Sequence, residues 1–294
     1  MKTQGILVPI VTPFTKDNQV NLPALKALAE VFIQKGVTGI VACGTTGEYY
    51  TLNAAERTSV LKCVAEVGRG RITLIAGIND VSTQGAIERA KEAEALGYEG
   101  LMLAPPSYSL PGQAELQAHY EAVATATRLP IIMYNFPARV GVEIEIDTVV
   151  ELAKLPNIVG IKESSGNFSR ALALIHLNLP GFEVISGCDD QAADFLFWGV
   201  RSWISGGANV FPGEQTEMVN AAIAGDWAKV KSLMTGMMPI IQNMESGNYN
   251  QKAKLGCRRH GIDVGQVRLP LLPAPTDEAQ AFIDLIDAYD KRGA

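Results

Sequence analysis

Histidine is scarce in this chain. Only His119, His176 and His260 occur in 294 residues, and no two stand close enough in sequence to suggest a local metal motif. His119 in ELQAHYEAVA and His176 in RALALIHLNL fall within helix-like patterns, where an isolated imidazole is more often a packed or surface residue than a ligand or base. Metal-dependent and Ser-His-Asp mechanisms are therefore disfavoured. The four cysteines (Cys43, Cys63, Cys188, Cys257) are scattered without CxxC pairing, which argues for reduced thiols in a cytoplasmic protein and against a zinc site or disulfide frame. No Lys/Arg-rich run occurs and the formal net charge is −6, so nothing electrostatic points to nucleic acid. No window resembles a membrane span, and MKTQGILVPIVTPF lacks the longer apolar core of a signal peptide. No GxGxxG follows the first strand-like run, which removes the simplest dinucleotide-binding reading.

What is present is a large apolar content with a regular rhythm. Nearly half of the residues are hydrophobic and fewer than a fifth charged, as in a compact protein with a sizeable core. Eight β-rich runs recur: GILVPI, GIVACG, ITLIAG, GLMLAP, PIIMYN, IVGIKE, FEVISG and SWISGG. They lack clean alternation, as expected of strands covered on both faces. Helix-like segments such as PALKALAEVFIQKG and AAERTSVLKCVAEVG lie between most of them. Eight βα units favour a closed (β/α)8 TIM barrel over an open doubly wound sheet. The barrel is expected over residues 1–224. Residues 225–294 read as a helical extension packed on the barrel, an appendage without chemistry of its own.

The chemistry of such a barrel gathers at the C-terminal ends of its strands. Lys162 follows the apolar IVGI of the sixth strand. A lysine at the mouth of a core either pairs with an acid or has a lowered pKa and attacks a carbonyl as a free amine. Glu163 is an awkward partner for it, because neighbours in a strand point to opposite faces. CGTTGE, after strand two, is a sharp turn whose amides and hydroxyls can hold a carboxylate or phosphate; the plainer alternative is a βα loop with Thr46 or Glu48 capping a helix. Tyr134, after strand five, offers a phenol able to relay a proton, or else a packed aromatic with a satisfied hydroxyl. Arg139 either clamps a carboxylate or lies on the surface.

Together GTTGE, YNFPARVG and VGIKESSGN, at these separations, resemble the dihydrodipicolinate synthase / N-acetylneuraminate lyase superfamily, over nearly the whole chain from GILVPIVTPF to VRLPLLP. The resemblance implies a pyruvate-handling Schiff-base enzyme that needs no cofactor or metal, with Lys162 forming the imine. It implies that Thr45 and Thr46 hold the pyruvate carboxylate, that Thr45, Tyr134 and Tyr108 form a proton relay, and that Tyr108 comes from a neighbouring subunit. Gly187 and Ile204 would line the pocket around the imine. A homotetramer, a dimer of dimers, follows from the resemblance alone.

Arg139 matches the arginine with which the synthase branch recognises aspartate semialdehyde. Other residues depart from that branch: Ser107 replaces a second tyrosine, and ESGNYNQKAK replaces the usual Asn-Pro-x-Pro-x-Lys segment. Asp189-Asp190 resembles the acidic pair with which sialic acid lyases hold sugar hydroxyls, and Ser164 is a further hydroxyl-binding candidate; alternatively the two aspartates cap the helix that follows. At the positions of the lysine-inhibited synthases' effector site stand Ala54, Arg57, Val81 and Gly85, with Tyr49 in place of a small residue, which implies insensitivity to lysine. Three functions therefore remain in view: a dihydrodipicolinate synthase-like enzyme, an aldolase or dehydratase of 2-keto-3-deoxy sugar acids (or an N-acetylneuraminate lyase-like enzyme), and a non-catalytic keto-acid sensor.

Overall fold

Within each apolar run, successive side chains take opposite sides of one curved sheet. Ile6, Val8, Ile40, Ala42, Leu74 and Ala76 pack outward against the helices, whereas Leu7, Val41, Ile75, Met102, Ile132, Ile185 and Ile204 form a separate cluster inside. Both sides are buried, so the strands read as continuous hydrophobic stretches. In the computed structural model, which describes residues 1–293, the eight strands are β1 (Gly5–Pro9), β2 (Gly39–Ala42), β3 (Thr73–Gly77), β4 (Gly100–Leu103), β5 (Ile131–Asn135), β6 (Ile158–Glu163), β7 (Glu183–Ser186) and β8 (Ser202–Ile204). All pair in parallel, and β1 pairs with both β2 and β8, closing the barrel. The fold is a (β/α)8 TIM barrel with additional C-terminal helices.

Local chemistry starts the helices where the chain needs them. Asn21 accepts the Ala24 N–H at 3.1 Å ahead of helix Leu22–Gln34. Asn53 and Glu56 form a reciprocal capping box ahead of helix Ala54–Gly68. Beyond β8 the chain runs through helices Pro212–Ala224, Trp227–Glu245, Tyr249–Gly256 and Thr276–Gly293. Phe282 and Ile286 of the last helix are buried in the outer core. Among the described residues, no helix is long and apolar enough to cross a membrane.

The C-terminal helices are fastened to the barrel by charge as well as by apolar contact. Glu48, in the turn after β2, is fully buried and meets Lys254 Nζ at 2.6 Å. Its other oxygen accepts the Arg268 N–H at 2.9 Å, and the Arg268 guanidinium pairs with Glu56 at 2.6 Å. The Phe14 ring lies between the two cations, with its centroid 4.0 Å from Lys254 Nζ and 4.1 Å from Arg268 Cζ. Glu48 thus serves as an anchor between barrel and extension, and its side chain caps no helix.

Candidate active site

Lys162 reaches the lumen because Ile161 before it and Glu163 after it face the other way. Glu163 is held outside by Arg170 at 3.1 Å, with both side chains almost wholly buried. Asn135 Nδ2 donates to both Glu163 oxygens, at 3.2 and 3.0 Å, and the Ser165 N–H donates at 2.8 Å. That network satisfies the carboxylate and leaves Lys162 without an ion pair or hydrogen bond among the described residues. The lysine is 5% exposed, and burial lowers its pKa to about 8; Arg139 pushes the same way, while Asp189 and Cys188 oppose it. About a tenth is therefore free amine at pH 7, against far less than a hundredth for a lysine of ordinary pKa.

Tyr134 on β5 is the register partner of Lys162, and its ring centroid lies 4.2 Å from Nζ. Burial raises the phenol's pKa, with Arg139 and Ser164 acting in the opposite direction, so the hydroxyl keeps its proton and is available as a donor. Ser164 is 5% exposed and lies against Gly187: a Cβ on that glycine would collide with Ser164 Oγ and come within 2.8 Å of Lys162 Cγ. Glycine at 187 is thus what lets β7 end beside the lysine.

These groups open into one cavity of about 410 Å³. Thr45, Thr46, Tyr134, Arg139, Lys162, Ser164, Gly187 and Asp189 all line it. Ile204 does not; it is fully buried in the lumen cluster. Tyr108 also lies outside the cavity. It is 96% exposed, and its backbone has a φ of +74°. A single chain therefore brings together every candidate except these two. Among the described residues no three His, Cys, Asp or Glu side chains converge as a metal site.

Asp189 has a different setting from the one its sequence suggested. Its carboxylate accepts Trp203 Nε1–H at 3.0 Å, the Gly207 N–H at 2.8 Å and the Tyr249 hydroxyl at 2.7 Å. It does not cap helix Ala192–Phe197, which has Gln191 at its N-cap and no side-chain cap bond. Three protein donors already occupy its oxygens, so its contribution to the cavity is charge. Asp190 is only half-buried and lines the cavity directly, its pKa raised by burial.

The expectation that the C-terminal extension carries no chemistry is corrected by the cavity wall. Glu245, Asn248, Tyr249 and Asn250 form one side of it. Glu245 stands exposed at the cavity rim, and the partial enclosure there, with Asp189 and Asp190 nearby, pushes its carboxyl pKa upward. Asn250 Nδ2 donates to the Thr45 carbonyl at 3.1 Å and to the Tyr50 hydroxyl at 3.0 Å. The one signal in the sequence was the polar stretch ESGNYN, which holds the end of one helix, a three-residue link and the start of the next.

A parallel eight-stranded barrel with a desolvated lysine and a phenol at the C-terminal ends of adjacent strands defines a class of carbon–carbon and carbon–oxygen lyases, the class I aldolase type. The chain belongs to the dihydrodipicolinate synthetase family, whose model matches residues 2–289. It is 37% identical over 288 residues to the 4-hydroxy-tetrahydrodipicolinate synthase of an Exiguobacterium species, covering 98% of each chain. It is 35% identical over 282 residues to the enzyme of that name from Methanosarcina barkeri, covering 96% of each. Among solved structures, the chloride-inhibited dihydrodipicolinate synthase from Acinetobacter baumannii, complexed with pyruvate, matches with a TM-score of 0.95 at 37% identity, over 98% of this chain and 99% of that one. Enzymes of the family use a lysine–pyruvate Schiff base and no external cofactor.

Proposed function

We propose that the protein condenses pyruvate, held as an imine on Lys162, with aspartate semialdehyde, and that lysine does not inhibit it. The observation that carries this reading is the unpaired, buried Lys162 beside Tyr134. The neutral amine attacks the keto carbon, and the carbinolamine loses water to give an iminium. That iminium draws electrons from the neighbouring methyl group, which gives up a proton and becomes an enamine. The methyl proton passes to the relay of Tyr134, Thr45 and Tyr108; the enamine carbon attacks the aldehyde carbon, which restores the iminium, and the resulting alkoxide takes a proton back from the relay. The amino group of the semialdehyde then displaces the Lys162 amine from the iminium carbon, closing the ring and freeing the enzyme. Thr45 and Thr46 hold the pyruvate carboxylate; Arg139, at the cavity edge, receives the carboxylate of the second substrate.

Tyr108 completes the relay from a neighbouring copy in a homotetramer. Its near-complete exposure in a single chain supports that role. Ser164 and Gly187 bound the imine, with Ile204 packed in the lumen core. Asp189 acts by its charge on Lys162. The protein works in the cytoplasm.

Insensitivity to lysine rests on the residues at the expected effector positions. Arg57 presents a buried cation, paired with Glu92 at 3.1 Å, where a cationic effector would have to dock. Gly85 offers no side chain, and a Cβ there would crowd the Asp80 carboxylate.

One observation favours a second reading. Asp190, Glu245 and Asn248 line the cavity on the side of the C-terminal helices, a wall rich in acceptors that suits the hydroxyls of a 2-keto-3-deoxy sugar acid or a sialic acid. Borohydride trapping with pyruvate, followed by turnover assays with aspartate semialdehyde and with sugar acids, tests both. A pyruvate adduct on Lys162 with semialdehyde turnover supports the first reading. An adduct with sugar-acid turnover alone moves the assignment to the second, and an adduct without turnover leaves a keto-acid sensor.

A further inference from the structure

Helix Tyr249–Gly256 joins the turn after β2 at two points on one helical face. Asn250 is 3% exposed, and its two amide hydrogens go to the Thr45 carbonyl and the Tyr50 hydroxyl. Lys254, one helical turn further on, pairs with Glu48 at 2.6 Å, both side chains being buried. The same face therefore grips the turn at its start and at its end. The turn needs such holding, because Cys43 and Glu48, neither of them glycine, adopt left-handed backbone angles of +55° and +53°.

Holding the Thr45 carbonyl has a directional consequence. The peptide joining Thr45 to Thr46 is planar, so fixing its C=O also fixes the direction of the Thr46 N–H at its other edge. Both threonine side chains then leave the backbone from a defined orientation. The same carbonyl accepts the Glu48 N–H at 3.0 Å inside the turn, so Asn250 supplies its second bond and the one that ties it to the helix; without it a single donor holds the peptide, and the donors aimed at a carboxylate are held less tightly.

We propose that Asn250 is a positioning residue for the keto-acid carboxylate site, which makes helix Tyr249–Gly256 part of the binding apparatus. The proposal rests on the reading that Thr45 and Thr46 hold the carboxylate of a keto acid bound to Lys162. Asn250 stands in the cavity wall with both amide hydrogens spent on protein acceptors, and it acts through the Thr45–Thr46 peptide. The Lys254–Glu48 pair sets the distance between helix and turn, and Asn250 sets the orientation of the peptide.

The test is the pyruvate concentration that half-saturates the borohydride-trapped adduct on Lys162, read by intact mass on the full-length protein, with melting temperature measured alongside. Asn250→Ala is expected to raise that concentration about 5- to 10-fold at unchanged maximal adduct, from one lost hydrogen bond and a misdirected donor set. Tyr50→Phe removes the other acceptor and leaves the Thr45 bond in place; it is expected to change the value by less than about twofold, as a substitution outside the orienting contact. Should the alanine variant not fold, Asn250→Leu keeps the shape, loses the donors without adding charge and is expected to show the same shift. A half-saturation within about twofold of the parent for the folded Asn250 variant, or a Tyr50→Phe effect equal to it, overturns the proposal. No adduct on the parent protein overturns the imine reading instead, and this one with it.

Discussion

Tyr134 and Lys162 face each other as register partners on adjacent strands, with the lysine nitrogen 4.2 Å from the centre of the phenol ring. A ring beneath an ammonium favours the charged form by up to about 2 kcal/mol when desolvated. Burial pulls harder in the other direction, and the lysine pKa falls to about 8. The rate of imine formation at subsaturating pyruvate should therefore rise with pH through an inflection near 8 and level off above it. Arg139 depresses the lysine further, so Arg139→Gln should move the inflection upward in a pH series of pyruvate trapping. An inflection that stays in place would show that Arg139 does not act on Lys162.

Burying that lysine costs stability in a defined pH window. The unfolded chain binds its proton more tightly than the fold does, so the penalty is fully present below about pH 8 and fades as pH rises towards the unfolded value of about 10.4. Lys162→Met should abolish adduct formation and melt above the parent at pH 7. The gap, which at its upper limit corresponds to roughly 3 kcal/mol, should shrink to below about 1 kcal/mol by pH 10. Thermal melts at the two pH values check this.

Glu163 and Arg170 are a buried pair on the helix-facing side of β6. Removing one partner strands a carboxylate that is 1% exposed. Arg170→Met should cost about 3 kcal/mol in a denaturant titration, and adding Glu163→Leu to it should recover part of that loss. Equal stability for the parent and the single variant would mean that Asn135 and Ser165 suffice to hold the carboxylate.

Gly187→Ala places a methyl group against Ser164 Oγ and within 2.8 Å of Lys162 Cγ. Displacing the lysine by about an ångström should slow imine formation on the order of 100-fold. Stopped-flow trapping measures this directly, and a change below about threefold would show that β7 yields without moving the lysine.

Millimolar L-lysine should leave the condensation rate unchanged. The buried Arg57–Glu92 pair and the bare Gly85 offer no ready acceptor for a second ammonium. A dose-dependent loss of rate would refute this.

The barrel was legible because both of its periods are written in the chain: buried strand runs, and between them helical segments with recognisable caps and stops. Lys162, Thr45 and Tyr134 were legible for a positional reason, since each follows an apolar run at the strand end where the cavity forms. The alternation rule also separated Lys162 from Glu163 correctly. The hidden part was whatever depends on how the extension folds back. Asn250 meets Thr45 across some two hundred residues of chain, and no local pattern specifies that contact. Asp189 was visible as an acid, but its three donors come from β8, the segment after it and the C-terminal helix, so its full occupancy was not.

The pairing of β1 with β8 also matters while the chain is being made. Gly5, Ile6 and Leu7 find their partners in Ser202, Trp203 and Ile204, nearly two hundred residues later. At a synthesis rate of roughly 5–20 residues per second, the first strand waits on the order of 10–40 s with one edge unsatisfied. An exposed hydrophobic edge is a template for pairing with other nascent chains. The strand that closes the cylinder therefore emerges after the other seven, with only the C-terminal helices to follow, and a chain cut short of Ser202 keeps that edge open for good.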